Sequence, residues 1–140
     1  INLFPENPLR GKNYDELGDR FPAMTEAYSH RLVDLADAIG KEKGMRLMHG
    51  VYVGTTGPTF ETPAEYEYFR VIGGDAVGMS TVPEVIVARH GGMEVFGLSV
   101  ITDLGGKDIT EVPSHEEVQQ AAIKAEPVTK LLVKTLVERL

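Results

Sequence analysis

The chain has 140 residues, of which 42% are hydrophobic and 25% are charged, a composition typical of one globular domain or of part of one. It contains no cysteine, which excludes disulfide bonds and thiolate metal sites. Its formal net charge of −7 and its scattered Lys and Arg residues argue against nucleic acid or an anionic membrane as the main partner.

The first part of the chain predicts a loop followed by an amphipathic helix. Residues 1–21 are rich in Asn, Pro, Gly, Asp and Arg and show no helical or strand period, so we expect an extended loop. From Pro22 to about Lys43 apolar residues recur at helical spacing, and glycines punctuate the end. The residues after Ile1 lack the features of a signal peptide, and we expect the chain to begin inside a longer gene product.

Short apolar runs and capped helices alternate through the rest of the chain. We expect three strands, at 50–54, 75–79 and 95–102. The last is the strongest, a nearly continuous apolar run of the kind buried on both faces of a sheet. Three capping boxes predict helix starts, at 62–65, 81–84 and 114–117. We expect these helices to end near 73–74, near 91–92 and at Leu140, with a break or kink near Pro127 and a polar loop at 104–113.

This alternation indicates an α/β fold with a mostly parallel or mixed sheet flanked by helices. In such sheets ligands bind at the carboxyl ends of the strands. Three segments follow predicted strands and are therefore candidate site segments: 55–61, 79–81 and 102–103.

Polar residues at these positions each have a functional and a structural interpretation. Glu61 is either a carboxylate that accepts hydrogen bonds from a ligand or a charge favoured by a helix N-terminus. Ser80 either binds an anion or, with Thr81, caps a helix. Asp103 either positions a polar ligand atom or begins a turn. His115 either binds a ligand hydroxyl or is an exposed residue without such a role.

Other common site types have no signal in this sequence. The histidines show no metal-ligand spacing, so we predict no metal. No glycine-rich loop of the dinucleotide or P-loop type is present, and no apolar run approaches the length of a membrane span. The residues by themselves therefore predict an α/β fragment with three candidate strand-end sites and no assigned reaction.

Five motifs, taken together, point to a family. The two longest are GPTFETPAE at 57–65 and GGDAVGMSTVPEVIVARH at 73–90. The shorter ones are NPLRG at 7–11, GDRFPAM at 18–24 and HEEV at 115–118. In their order along the chain, these five motifs resemble the C-terminal half of the trimeric purine nucleoside phosphorylases, the inosine-guanosine phosphorylase family. The resemblance covers essentially the whole chain.

The resemblance implies a pentosyltransferase. In this family phosphate attacks C1′ of a purine ribonucleoside or deoxyribonucleoside, which gives the free base and a pentose 1-phosphate. The sugar gains oxocarbenium character and the purine leaves with negative charge, so the site must stabilise developing charge. The resemblance also implies a cytoplasmic homotrimer that uses phosphate as co-substrate and needs no cofactor.

On the base side, the resemblance assigns roles to residues around the first two strand ends. Glu61 would accept hydrogen bonds from purine N1–H and from the 2-amino group of guanine. Phe60 would pack against the base, and Val77 and Met79 would line the base and sugar pocket. Gly78 and Thr102 would complete the substrate-binding set.

On the sugar and phosphate side, the resemblance points to four further residues. Ser80 would bind phosphate, Tyr52 the 3′-hydroxyl and His115 the 5′-hydroxyl, while Val118 would wall that region. Asp103 and His115 are the expected catalytic residues.

Asp103 departs from the family, whose 6-oxopurine enzymes usually carry Asn there. An ionised Asp would repel purine O6 and N7, whereas a protonated Asp, which burial favours, would donate to N7. An ionised Asp would suit a 6-amino group. The related methylthioadenosine phosphorylases carry Asp in this region, but they typically have Thr at the position of Ser80 and lack the Phe60–Glu61 pair. We expect 6-oxopurine nucleosides as substrates.

Two alternatives stay open beside this expectation: methylthioadenosine phosphorylase, and a non-catalytic purine-binding or oligomerisation module, since fold alone does not fix function. The family's other phosphate ligands, including an Arg and a His, belong to an N-terminal half that is absent from this chain. We therefore expect 1–140 to be the C-terminal part of one domain, inactive without that half and competent with it in a trimer.

Overall fold

The computed structural model describes residues 1–106, 108–109 and 114–140. Within these ranges the elements follow in the order α1 (His30–Lys43), β1 (Tyr52–Gly54), α2 (Pro63–Val71), β2 (Ala76–Gly78), α3 (Val82–His90) and α4 (His115–Glu138). Strands β1 and β2 pair in parallel, with Tyr52 opposite Ala76 and Gly54 opposite Gly78. The predicted α/β class is confirmed, and both strands are shorter than the apolar runs that predicted them.

The main apolar core joins the first and last helices. Ala36 and Ile39 of α1 pack with Leu132 and Leu136 of α4, and each of these side chains is at least 95% buried. Phe96 packs against the same cluster from the segment that follows α3. The C-terminal helix thus holds its position by covering the apolar face of α1.

Helix α1 begins at His30 and not at Pro22, so the predicted start is wrong. Ser29 is the N-cap residue of α1, and its hydroxyl accepts a hydrogen bond from a backbone N–H in the first turn of the helix. The same hydroxyl donates to Glu94 at 2.8 Å, and Arg31 pairs with that carboxylate at 2.6 Å. The hydrogen bond from Arg31, followed by that from Ser29, lowers the pKa of Glu94 to about 2. These contacts fix the start of α1 against the end of α3.

The N-terminal segment lies beside β1. Asn2 forms an isolated parallel bridge with Gly54. Leu3 N–H donates to Gly54 O at 3.0 Å, and Gly54 N–H donates to Ile1 O at 2.9 Å. Strand β1 therefore has β2 on one side and the N-terminal segment on the other, and its Val53 is completely buried.

Two of the three predicted capping boxes are confirmed. Thr62 Oγ1 accepts from Glu65 N–H at 3.2 Å, and the Glu65 carboxylate accepts from Thr62 N–H at 2.7 Å. Ser114 and Glu117 make the same pair of bonds at the start of α4. The third, at Thr81, is wrong: its side chain makes no capping bond and its φ is 72°. An N-cap residue needs an extended backbone, which Thr81 does not have.

The Thr62 cap offers a test of stability. Replacing Thr62 with Ala removes the hydroxyl that accepts from Glu65 N–H and keeps the backbone N–H that donates to the Glu65 carboxylate, and we expect the free energy of unfolding to fall by about 1 kcal/mol. Urea unfolding of the complete protein measures this loss. Thr59→Ala, a change at an exposed threonine of the preceding loop, serves as the control. Equal stabilities of the two variants would contradict the role of the cap.

The strand predicted at 95–102 is not formed among the described residues. A strand needs a hydrogen-bonded neighbour, and no described segment pairs with 95–102 as a ladder. The apolar composition that predicted burial on both faces is instead partly exposed, with Leu98 at 40% and Ile101 at 59%. The predicted strand is therefore wrong for the described part of the chain, although the run is apolar as the prediction assumed.

Helix α4 passes through Pro127 without the predicted break and ends at Glu138. Proline removes one backbone hydrogen bond, but Leu132 and Leu136 beyond it are buried against α1 and keep the C-terminal turns packed there. No helix in the described ranges is long and apolar enough to cross a bilayer. In the loop predicted at 104–113, residues 107 and 110–113 lie outside the described residues.

Candidate functional site

A cavity of about 490 Å³ runs along β2 and reaches past its carboxyl end. Its volume falls within the range of roughly 300–1,000 Å³ that is typical of small-molecule sites. Its lining comes from the segment 60–61, from α2, from the segment 74–79 that contains β2, from the segment 100–106 and from one residue of α4. Eight of the residues predicted from sequence line it: Phe60, Glu61, Val77, Gly78, Met79, Thr102, Asp103 and Val118.

The loop before α2 is held against the end of β2. Gly57 has a φ of 57°, a conformation that favours glycine, and a Cβ at this position would overlap the Met79 sulfur. The Gly57–Pro58 peptide bond is cis. This close approach places Phe60, which is 42% exposed, on the cavity wall as an apolar surface open to a ligand.

The acidic wall of the cavity contains a residue that the sequence analysis did not select, Tyr66. Burial raises the pKa of Tyr66 to about 12, with further contributions from the charges of Glu61 and Asp103 and from a hydrogen bond with Glu61. The phenol therefore stays neutral and keeps its O–H as a hydrogen-bond donor toward Glu61. A Cβ at Gly105 would overlap the Tyr66 ring, so the loop backbone packs directly on that ring.

A sequence signal for this contact exists in the geometry of the α2 cap. Glu61 precedes the N-cap residue Thr62, and Tyr66 is the fourth residue after that cap. Residues at these two positions meet at many helix starts, usually as an apolar pair. Here the same geometry joins a carboxylate and a phenol, which a search for apolar pairs does not detect.

Asp103 also lies on the cavity wall and is already partly engaged. Thr102 Oγ1 donates to Asp103 Oδ1 at 2.8 Å. Both residues stand at the end of the run predicted as a strand. They line the cavity as expected for candidate site residues, although the strand itself is not formed. No hydrogen bond to the second carboxylate oxygen is formed among the described residues, which leaves it open to a ligand donor there.

A second group of predicted residues lies next to the cavity, beneath β2. Tyr52 packs so closely on Gly78 that a Cβ at Gly78 would overlap its hydroxyl. Ser80 N–H donates to Tyr52 Oη at 3.4 Å, and the hydroxyls of Ser80 and Thr81 lie 3.1 Å apart. Val82 N–H donates to Ser80 O at 2.7 Å across Thr81, which forms a γ-turn.

This γ-turn brings two adjacent hydroxyls to the N-terminus of α3. Its φ of 72° at Thr81 is uncommon for a residue with a Cβ and marks local backbone strain. Strain of this kind is found at functional sites, and a helix N-terminus with nearby hydroxyls suits an anion. The hydroxyl of Ser80 therefore has the chemistry of an anion ligand, although Ser80 does not line the cavity.

His115 lies apart from both groups. It is the first residue of α4, it is exposed, and its Nε2 is 3.0 Å from Gln119 Nε2. Only Val118, one turn further on, reaches the cavity from the described part of this helix. In the described residues no group of three or more His, Asp or Glu side chains is placed to hold a metal ion.

A larger cavity, about 710 Å³, lies between the N-terminal segment and α3. Its lining is mainly apolar, with Arg10 and Arg20 at its polar side, and no predicted site residue lines it among those described. We prefer the smaller cavity as the functional site, because carboxylates and a hydroxyl with a raised pKa converge there at a strand end.

Comparison with known proteins gives consistent matches. A family model described as Phosphorylase superfamily matches residues 1–138. Purine nucleoside phosphorylase 1 of Geobacillus stearothermophilus is 49% identical over 140 residues, which cover 100% of this chain and 51% of that protein. The chain spans about half the length of the curated relatives it matches.

Solved structures match to the same extent. Schistosoma mansoni purine nucleoside phosphorylase in complex with adenosine superposes with a TM-score of 0.95 at 36% identity, over 99% of this chain and 53% of that one. The Schistosoma mansoni enzyme in complex with inosine gives a TM-score of 0.93 at 37% identity, over 99% and 52%. With a family model that spans nearly the whole chain, this chain belongs to the phosphorylase superfamily.

Proposed function

We propose that this chain is the base-recognising part of an enzyme that cleaves purine nucleosides with phosphate, giving free base and (deoxy)ribose 1-phosphate. The observation that carries the proposal is the cavity along β2, whose wall contains both Phe60 and Glu61. A flat apolar surface beside a hydrogen-bond acceptor matches a purine face and its N1–H edge. The names of the relatives support the same activity.

In this proposal Glu61 accepts from purine N1–H and, in guanine, from the 2-amino group. These bonds orient the base, and negative charge that develops on the leaving purine is stabilised by a donor at N7. Val77, Gly78 and Met79 form the floor of the pocket under the base and sugar, and Thr102 borders it.

The sugar and phosphate are assigned to the neighbouring group. Ser80 binds phosphate at the N-terminus of α3, and Tyr52 contacts the 3′-hydroxyl. His115 contacts the 5′-hydroxyl from the start of α4, near the wall formed by Val118. The strained turn at Thr81, which presents the hydroxyl of Ser80, supports the phosphate assignment.

Asp103 is the proposed contact for the six-position and N7 of the base, and we propose 6-oxopurine nucleosides as the preferred substrates. The Phe60–Glu61 pair on the cavity wall favours this choice over methylthioadenosine. The carboxylate of Asp103 favours the second candidate, a 6-aminopurine nucleoside, because it accepts from an amino group. The similar Schistosoma mansoni structure with adenosine keeps that candidate in the test.

The test is a substrate panel on the complete protein. Inosine, guanosine, adenosine and methylthioadenosine are compared by kcat/KM with phosphate in excess. We expect inosine and guanosine to be cleaved best. A clear preference for adenosine or methylthioadenosine would move the assignment to 6-aminopurines, and purine binding without cleavage of any substrate would favour a non-catalytic module.

We further propose that 1–140 is the C-terminal part of a single phosphorylase domain, and that the remaining part supplies more phosphate ligands. The match to about half of each relative supports this. The net charge of −7 supports it too, because one hydroxyl on an acidic segment is a poor phosphate site. A cytoplasmic homotrimer that uses no cofactor beside phosphate completes the proposal.

A direct prediction concerns the segment by itself. Purified 1–140 is expected to release no base from inosine, whereas the complete protein does, since the phosphate ligands of the segment are insufficient. Base release is followed by ultraviolet absorbance at equal protein concentrations. Turnover by the isolated segment would contradict the division of the site.

A further inference from the structure

We propose that Tyr66 is a positioning residue for purine recognition: its phenol holds the Glu61 carboxylate in the orientation that receives the purine N1 edge. The inference rests on the proposed function and extends it to a residue outside the expected site set. Three observations carry it: the place of Tyr66 in the cavity wall beside Glu61, its position across the α2 cap from Glu61, and its contact with the loop that bears Asp103.

The position of Tyr66 is fixed by secondary structure on one side. Thr62 and Glu65 form the capping box that starts α2, and this fixes the direction in which the first turn leaves the loop. Tyr66 is the fourth residue after the cap, a position whose side chain is expected to meet that of Glu61, the residue before the cap. Tyr66 N–H donates to Thr62 O at 3.1 Å. This backbone hydrogen bond ties Tyr66 to the cap residue at the start of α2.

The other side of the ring is fixed by the loop after the 95–102 segment. The backbone of Gly105 packs on the Tyr66 ring so closely that any Cβ there would overlap the ring. The ring therefore has little freedom to turn away from Glu61, and its hydroxyl is already in place before a ligand binds. A donor that is held in place loses less entropy on binding than one that must be ordered.

The electrostatics explain why such a donor is needed. Glu61 and Asp103 line the same cavity, and both carboxylates raise the pKa of the Tyr66 phenol. Two like charges that face one small cavity repel each other, so an unrestrained Glu61 side chain would turn toward water. A neutral phenol that donates to Glu61 opposes this rotation and leaves the rest of the carboxylate free to accept from the base.

The experiment compares four forms of the complete protein: the parent, Tyr66→Phe, Glu61→Ala and the double variant. Phenylalanine keeps the ring on Gly105 and removes only the hydroxyl. Because hydrogen bonds to a charged group are among the stronger ones, we expect Tyr66→Phe to weaken guanine binding and lower kcat/KM for guanosine by about ten-fold. In the Glu61→Ala background the same change is expected to cost less than about two-fold, since Tyr66 acts through Glu61.

Tyr68→Phe is the matched control. Tyr68 is 52% exposed on the same helix and lies outside the cavity lining, so its phenol is expected to leave both measurements unchanged. A Tyr66→Phe variant with the affinity of the parent would overturn the inference. An equal loss with and without Glu61 would also overturn it, because a residue of purely structural importance produces that result.

Guanine binding, measured by calorimetry, separates this inference from the proposed function. If the parent binds guanine and the coupling is found, but no phosphorolysis occurs, the reaction is wrong and the role of Tyr66 stands. If the parent cleaves guanosine and the coupling is absent, the role of Tyr66 is wrong and the reaction stands. A parent that neither binds guanine nor cleaves guanosine overturns both.

Discussion

Replacing Glu61 with Ala in the complete protein is expected to lower kcat/KM for guanosine by ~10²–10³-fold. The carboxylate is the acceptor proposed for both N1–H and the 2-amino group, so its removal leaves two donors of the bound base unpaired. Initial rates over a range of guanosine concentrations, at saturating phosphate, measure the loss.

Glu126→Ala is the control for this prediction. Glu126 is exposed on α4 and pairs with Lys130, and exposed ion pairs of this kind contribute little. We expect the control to keep the activity of the parent. If Glu61→Ala retained full activity on guanosine, the base could not be bound at the Phe60–Glu61 edge of the cavity, and the proposed site would be wrong.

Replacing Asp103 with Asn is expected to raise the ratio of kcat/KM for inosine to that for adenosine by ~10-fold or more. The amide of Asn donates to O6 and N7, which an ionised carboxylate repels. The same change removes a charged acceptor for a 6-amino group, so kcat/KM is expected to fall for adenosine and to rise for inosine. Thr102, which already donates to Asp103 Oδ1, remains in place to hold the new side chain.

The ratio of the two kcat/KM values is the quantity to measure, because a general loss of active protein lowers both values equally. Asp108→Asn, an exposed change in the loop that follows, is the control and is expected to leave the ratio as in the parent. An unchanged or lower ratio in Asp103→Asn would show that Asp103 does not contact the six-position of the base.

Local signals in the sequence predicted most helix boundaries of this fold. The caps at Thr62 and Ser114 and the glycine after α1 each satisfy backbone groups within a few residues, so their effect is visible in the local pattern. Thr81 shows where such a pattern fails. Its sequence fits a cap, but the γ-turn between Ser80 and Val82 gives it a backbone that no capping residue adopts.

Features that depend on distant parts of the chain were predicted less well. The run at 95–102 has the composition of a buried strand, but strand formation needs a partner that the described residues do not provide beside it. The start of α1 is set by Glu94, far away in sequence, through its bonds with Ser29 and Arg31. Neither effect leaves a periodic signal.

The same contrast between local signals and distant contacts holds for the candidate site. Their positions after predicted strands selected Glu61 and Asp103, and the structure brings both to one cavity. Tyr66 lines the same cavity and was missed, because its role follows from the geometry of the helix cap and from the approach of Gly105. Those contacts are made by three-dimensional proximity, which residue types alone do not encode.

Product analysis with inosine tests the central claim most directly. The complete protein is incubated with inosine, with and without phosphate, and the base and sugar products are separated and quantified. The proposed function predicts equal amounts of hypoxanthine and ribose 1-phosphate, formed only when phosphate is present. Free ribose in place of the sugar phosphate, or inosine that is bound and never cleaved, would contradict it.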